Sequence, residues 1–220
     1  MIAPARLPSL SRPWIKVCGV RSLADLEICA SATASHVGVN TWPGSPRSVP
    51  PRIATTLLEH TRRLGLAAVL LHLPGSLLPL AAALRLHPDF VQVFHSPSPA
   101  MREVLASEEI GLVESRPARR FGAPALSWGQ VLLLDAPLPG KHGGTGTTFD
   151  WVLARRAPRP FVLAGGLGPD NVAAAIAACR PFGVDAASRL ESSPGHKDAG
   201  KIRAFCQAAR AAFMENPHGL

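Results

Sequence analysis

Apolar residues recur along this chain in short runs, each followed by a polar or glycine turn and then by a stretch with helical spacing. Trp14-Ile15-Lys16-Val17-Cys18 reads as a strand, and residues 22–34 follow with apolar positions at Leu23, Leu26, Ile28 and Cys29, a helix with Ser22 as N-cap. The unit repeats as strand 36–40 and helix 52–64, strand 67–71 and helix 76–86, and strand 90–94 and helix 99–107. Residues 111–114 form a fifth strand. The next stretch, 116–129, is rich in Pro, Arg and Gly, so a fifth helix is expected to be short or missing. Strand 131–135, ending in Asp135, a helix around 150–156, strand 161–164, helix 170–179, strand 183–187 and helix 199–213 complete the series.

Eight such alternations in a chain of 220 residues predict an α/β protein with a parallel sheet, a single (βα)8 TIM barrel at the short end of its size range. A doubly wound open sheet has the same alternation, and closure is not visible in a sequence. Residues 14–214 are expected to form the barrel domain. The flanks, 1–13 and 215–220, are expected to be tails, with no linker and no second domain.

Composition narrows the function. Hydrophobic residues make up 47% and charged residues 17%, a globular balance, and the formal net charge of +8 favours an anionic partner. Arg62-Arg63, Arg119-Arg120 and Arg155-Arg156 are scattered and carry no interleaved aromatics, which argues against nucleic-acid binding. No apolar run is long enough to span a bilayer, and the start has no charged segment followed by an apolar one. Cys18, Cys29, Cys179 and Cys206 have no metal-ligand spacing, so neither a metal site nor a disulfide framework is expected, and reduced thiols fit the cytoplasm.

In a TIM barrel the active site lies at the C-terminal ends of the strands. That rule selects Cys18, Asn40, His72, His95, Asp135, Gly165-Gly166 and Ser188-Arg189, above an interior expected to be apolar. Cys18 reads either as a small buried hydrophobe or as a reactive thiol, with Gly19 beside it allowing close approach of a ligand. Asp135 follows four apolar residues, where a carboxylate must be paired, hydrogen-bonded or shifted in pKa. Gly143-Gly144-Thr145-Gly146 and Gly165-Gly166 follow successive strands and can present backbone N–H groups to a phosphate. The Lys-Ser/Thr pair of a Walker A loop is absent.

These residues resemble the phosphoribosylanthranilate isomerase family. The resemblance is carried by Ile15-Lys16-Val17-Cys18-Gly19-Val20, by Ser45-Pro46-Arg47, and by Leu133-Leu134-Asp135 with Gly143-Gly144-Thr145-Gly146 and Phe149-Asp150-Trp151. Leu163-Ala164-Gly165-Gly166-Leu167 and Pro194-Gly195 with Lys197-Asp198 extend it, so that it runs from about residue 15 to residue 206. It implies an Amadori rearrangement in tryptophan biosynthesis with neither metal nor organic cofactor. Asp135 would be the general acid and Cys18 the general base. Arg47 would hold the anthranilate end. Gly143, Gly144, Gly165, Gly166, Ser188 and Arg189 would surround the phosphosugar. The implied partner is an anionic phosphosugar, with a monomer or a homodimer equally open.

The chain departs from the family pattern in places. Arg189 stands where the family has a glycine at the phosphate loop, Thr147 replaces a lysine, and strands 3 and 4 read Ala68-Val69-Leu70-Leu71-His72 and Val91-Gln92-Val93-Phe94-His95. These departures leave open a repurposed barrel that binds a phosphorylated metabolite without turning it over. Isomerisation of a related aminoaldose fits less well, because such enzymes place an Asp where this chain has Cys18.

Overall fold

The computed structural model describes residues 13–117, 129–135, 151, 154, 157 and 161–216. The elements in chain order are β1 (Trp14–Cys18), α1 (Leu23–Ser31), β2 (His36–Asn40), α2 (Pro51–Arg63), β3 (Ala67–Leu71), α3 (Leu80–Leu84), β4 (Phe90–Val93), α4 (Pro99–Ser107), β5 (Gly111–Pro117), β6 (Gln130–Asp135), β7 (Phe161–Leu163), α5 (Val172–Cys179) and β8 (Gly183–Ala186). A small antiparallel hairpin, β9 (Glu191–Ser193) and β10 (His196–Lys197), then precedes α6 (Ala199–Glu215). Strands β1 to β8 pair in sequence, all parallel, and β8 returns to β1 in a register that runs from Trp14 opposite Gly183 to Val17 opposite Ala186. That last pairing closes the barrel and removes the open-sheet alternative.

Local chemistry sets the element ends. Ser22 caps α1 by accepting from the Asp25 N–H at 3.1 Å, while the Asp25 carboxylate accepts from the Ser22 N–H, a reciprocal capping box. The helix stops at Ser31, short of residue 34, because Thr33 takes a left-handed φ of 60°. Helix α3 is shorter than its apolar spacing suggests, since Pro79 sits at its N-cap and cannot lie within a helix begun at residue 76. Strand β5 runs past residue 114 because β6 offers it ladder partners as far as Pro117 opposite Asp135. The fifth-helix region at 118–128, most of the helix around 150–156 and the outermost tail residues lie outside the described residues.

Alternate residues on each strand divide the core into two. Ile15, Val17, Val37, Val39, Leu70, Leu132, Leu134, Leu163 and Val184 pack outward against helix residues such as Leu26, Leu57, Ile176 and Phe205. Trp14, Val69, Phe90, Val113, Leu133 and Val162 fill the interior. The floor of that interior is aromatic: the Trp14 and His36 rings stack at 3.5 Å and 11°, and Phe90 meets Trp14 edge-on at 4.9 Å. Rings of this size fit because their ladder partners are glycines. A Cβ at Gly183 would lie 2.3 Å from the Trp14 Cβ, and one at Gly111 would lie 2.2 Å from Phe90 Cδ1.

Burial, aided by the Lys16 charge above it, lowers the His36 pKa to about 3. The unfolded chain, with a histidine near pKa 6.5, therefore binds one more proton than the folded chain throughout the interval down to about 3. The stability due to neutral His36 is complete above pH 6.5 and is lost as pH falls, at about 1.4 kcal/mol per pH unit. Urea unfolding of wild type and His36→Phe between pH 6 and 4 should show this difference in slope. Parallel stability curves would remove His36 from the acid response.

Candidate active site

A cavity of about 810 Å³ opens at the C-terminal ends of the barrel strands. Cys18, the last residue of β1, and Asp135, the last of β6, both line it, together with Arg47 from the loop after β2 and Ser188 from the turn after β8. Asn40 at the end of β2 lines it as well and fixes the following loop by accepting the Trp42 N–H at 2.8 Å. One wall is apolar, with Trp42, Leu71, Leu73 and Phe94 grouped around Cys18. Trp42 lies over Gly44, where a Cβ would come within 2.3 Å of the indole. His72 and His95 do not border the cavity. Burial, then the neighbouring His95, lowers the His72 pKa.

The interior beneath the cavity departs from the expected apolar filling. Lys16, one inward position below Cys18 on β1, is completely buried, and its ammonium donates to Gln92 Oε1 at 2.8 Å and to Asp185 Oδ1 at 3.1 Å. Gln92 passes the chain on by donating from Nε2 to Ser115 Oγ at 2.8 Å. Apolar neighbours on the outward positions of β1, β4 and β8 mask these residues in the sequence, because parallel strands buried on both faces show no alternation. Burial pushes the Lys16 pKa down, but Asp185 and the Cys18 sulfur outweigh it, and the net direction is up. For Cys18 burial pushes the thiol up, Lys16 and Lys197 pull it down, Asp185 adds to the rise, and the thiol ends above its ordinary value.

Arg47 is held before any ligand arrives. Its Nε and Nη2 donate to the two Glu191 oxygens at 2.7 and 2.8 Å, a fork-on-fork pair that leaves Nη1 with no partner among the described residues. Lys197, whose side chain is fully buried, adds a third cationic contact to Glu191 at 3.0 Å. Burial alone would raise the Glu191 carboxyl, but Arg47 and Lys197 hold it below the ordinary carboxylate value. Gly19, expected to admit a ligand, instead admits the Arg47 stem: its φ is +78° and a Cβ there would lie 2.5 Å from Arg47 Cδ. Gly195, at φ +83°, brings the β9–β10 hairpin against the Pro46 carbonyl, 2.4 Å from where its Cβ would be.

The loop after β7 turns at Gly165 and Gly166, with φ of +91° and +65°, and Asn171 braces it by donating to the Gly166 carbonyl at 2.9 Å and accepting from the Gly168 N–H at 2.8 Å. Arg189, in the Ser188–Leu190 turn, pairs with both Asp170 oxygens at 2.8 and 2.6 Å and donates to the Gly166 carbonyl at 3.3 Å. Neither Gly165, Gly166 nor Arg189 borders the cavity with Cys18 and Asp135. Gly143 and Gly144 lie outside the described residues.

A closed parallel barrel with a thiol and a carboxyl lining one cavity at the C-terminal ends of its strands places the chain in the (βα)8 class. Comparison with known proteins makes the assignment specific. Residues 15–208 match the family described as N-(5′-phosphoribosyl)anthranilate (PRA) isomerase. The N-(5′-phosphoribosyl)anthranilate isomerase of Magnetococcus marinus is 36% identical over 201 residues, covering 90% of this chain and 95% of its own length. That of Solibacter usitatus is also 36% identical, covering 90% of this chain and 98% of its own length. The crystal structure of the Thermotoga maritima phosphoribosyl anthranilate isomerase superposes with a TM-score of 0.74 at 28% identity, covering 91% of this chain and all (100%) of its own. The chain belongs to the N-(5′-phosphoribosyl)anthranilate isomerase family.

Lys16, Gly38, Gln92, Asp185, Glu191 and Lys197 were not singled out by the sequence, although several sit inside motifs that were. Gly38 is the ladder partner of Cys18, and a Cβ there would lie 2.7 Å from the sulfur. Gly38→Ala should displace the thiol and lower kcat/KM by about tenfold or more, since small misplacements of a reacting group are costly. Unchanged steady-state kinetics in this variant would show that the sulfur position is not critical.

Proposed function

We propose that this chain converts N-(5′-phosphoribosyl)anthranilate to 1-(2-carboxyphenylamino)-1-deoxyribulose 5-phosphate in tryptophan biosynthesis, with Asp135 as general acid and Cys18 as general base. The observation that carries this reading is that the two residues, at the ends of β1 and β6, border one cavity. Asp135 gives a proton to the furanose ring oxygen as the bond from that oxygen to C1′ breaks. The anilino nitrogen lone pair closes the C1′=N bond of a protonated Schiff base. The Cys18 thiolate then takes the C2′ proton, and the electron pair left behind forms the C1′=C2′ bond of an enolamine while nitrogen recovers its lone pair. Proton loss from the C2′ hydroxyl and protonation at C1′ give the ketone.

Arg47, which lines the cavity with Nη1 unpartnered among the described residues, is assigned to the substrate carboxylate, and the apolar wall of Trp42, Leu73 and Phe94 to the aromatic ring. The Gly165 and Gly166 amides and Ser188 are assigned to the phosphate, with Gly143 and Gly144 completing the loop set. The ligand is thus an anionic phosphosugar, with no role for nucleic acid, membrane or cofactor. The four buried free cysteines fit a reducing cytoplasm. Both a monomer and a homodimer accommodate a site built wholly from one chain.

Turnover is read as the fluorescence decay of phosphoribosylanthranilate made in situ, with indole-glycerol-phosphate synthase draining the product. Asp135→Asn should lower kcat by at least about a hundredfold, as expected for loss of a general acid. Near-normal rates would remove Asp135 from the mechanism. Wild-type protein that binds a reduced substrate analogue but shows no turnover would instead favour the repurposed-barrel reading.

Arg189 tests the phosphate site. Its guanidinium is engaged by an exposed Asp170, a pair of the kind that adds about 1 kcal/mol or less to stability. Arg189→Gly should therefore leave KM within about fivefold of wild type, which corresponds to about 1 kcal/mol. A larger rise would show that Arg189 leaves Asp170 and binds the phosphate itself.

A further inference from the structure

Lys16 has no part in the reaction as written, yet its ammonium lies fully buried inside the barrel. Replacing a buried ion pair by apolar residues of similar volume is commonly neutral or stabilising, so the Asp185 partner explains how the charge is tolerated and not what it does. Lys16 does not border the cavity, whereas the three groups it addresses, Gln92, Asp185 and Cys18, all do. Any effect on the reaction must therefore pass through the cavity floor.

The geometry aims the ammonium. Gln92 cannot turn over without losing either Lys16 or Ser115, because its Oε1 accepts from one and its Nε2 donates to the other, each at 2.8 Å. Asp185 takes a second ammonium proton at 3.1 Å. Two of the three ammonium donors are thereby fixed, and the Cys18 sulfur stands two residues on along the same face of β1. The other charges that act on this sulfur are Asp185, from β8, and Lys197, from the β9–β10 hairpin. Lys197 is committed to Glu191 and to the Ala187 carbonyl, at 3.0 and 3.1 Å. Lys16 is thus the cation that lies beneath the sulfur on its own strand and faces the same interior.

We propose that Lys16 is a positioning residue of the reaction, its ammonium, held by Gln92 and Asp185 under the cavity floor, stabilising and aiming the Cys18 thiolate without touching substrate. The proposal rests on Cys18 being the base. Its physical need is plain: burial raises the thiol, and a base that ionises only above the working pH needs an opposing charge at close range.

The test reads the thiol with no substrate present. Alkylation of Cys18 by iodoacetamide is followed against pH by peptide mass in wild type and in Lys16→Met/Asp185→Asn, which neutralises both charges together. The midpoint should rise in the neutral pair, because Lys16 acts on the sulfur more strongly than Asp185, the opposing charge removed with it. Below its midpoint kcat/KM should fall in parallel and recover as pH is raised. If the pair fails to fold, Lys16→Gln, which keeps a polar partner for Gln92, must show the same rise, and Lys16→Arg, which keeps the charge, must not. An unmoved midpoint in both the neutral pair and Lys16→Gln overturns the proposal. Turnover in Cys18→Ala is measured separately: wild-type rates there would overturn the base assignment while leaving the titration result to stand on its own.

Discussion

An ammonium in the middle of a closed barrel is the constraint around which this site is arranged. Water cannot solvate Lys16, so every donor needs a partner supplied by a neighbouring strand, and the barrel supplies Asp185 from β8 and Gln92 from β4. Gln92 in turn fixes Ser115 on β5. The polar layer therefore ties four strands together at one height. Cys18 and Asp135 stand at the strand ends above it, and the His36–Trp14–Phe90 stack closes the interior below. A shift of any one of these strands would break a buried hydrogen bond, to the Lys16 ammonium or to the Gln92 amide that holds it, which gives the layer its rigidity.

Glycine provides the complementary freedom. Gly183 and Gly111 leave room for the floor rings, Gly38 leaves room for the Cys18 sulfur, and Gly19 leaves room for the Arg47 stem. Three of these four sit in strands, where a glycine ordinarily weakens the sheet, and each is the ladder partner of the side chain it accommodates. The barrel thus alternates large and absent side chains between neighbouring strands. Its interior is filled by that pairing, and the Cys18 sulfur occupies one of the spaces so made.

The alternation of strands and helices was readable because a barrel repeats one simple unit, and the strand starts and the cap at Ser22 follow from local chemistry. Closure was not readable, because it depends on the pairing of Trp14 with Gly183 across nearly the whole chain. Cys18, Arg47 and Asp135 could be selected from their places at strand ends and in motifs. Lys16 and Asp185 escaped for a physical reason: inward and outward residues of a doubly buried strand are both mostly apolar, so the inward polar layer has no period of its own. The same limit hid the use of Gly19 by Arg47, a contact between residues 19 and 47 that only the folded loop creates.

Arg47 shows what that loop arrangement achieves. An arginine waiting for an anion at the rim of a cavity would lose side-chain freedom when the ligand arrived, and that loss would subtract from binding. Glu191 removes most of that cost in advance by taking Nε and Nη2, while Lys197 offsets the negative charge that Glu191 brings. The cluster carries two cations against one anion, so it keeps a net positive charge toward the cavity. The rim cation is therefore held from behind by Glu191, and the buried Lys16 ammonium lies beneath the thiol on β1. An anion arriving at this rim meets a cation already in place, and its binding energy is not spent on ordering that side chain.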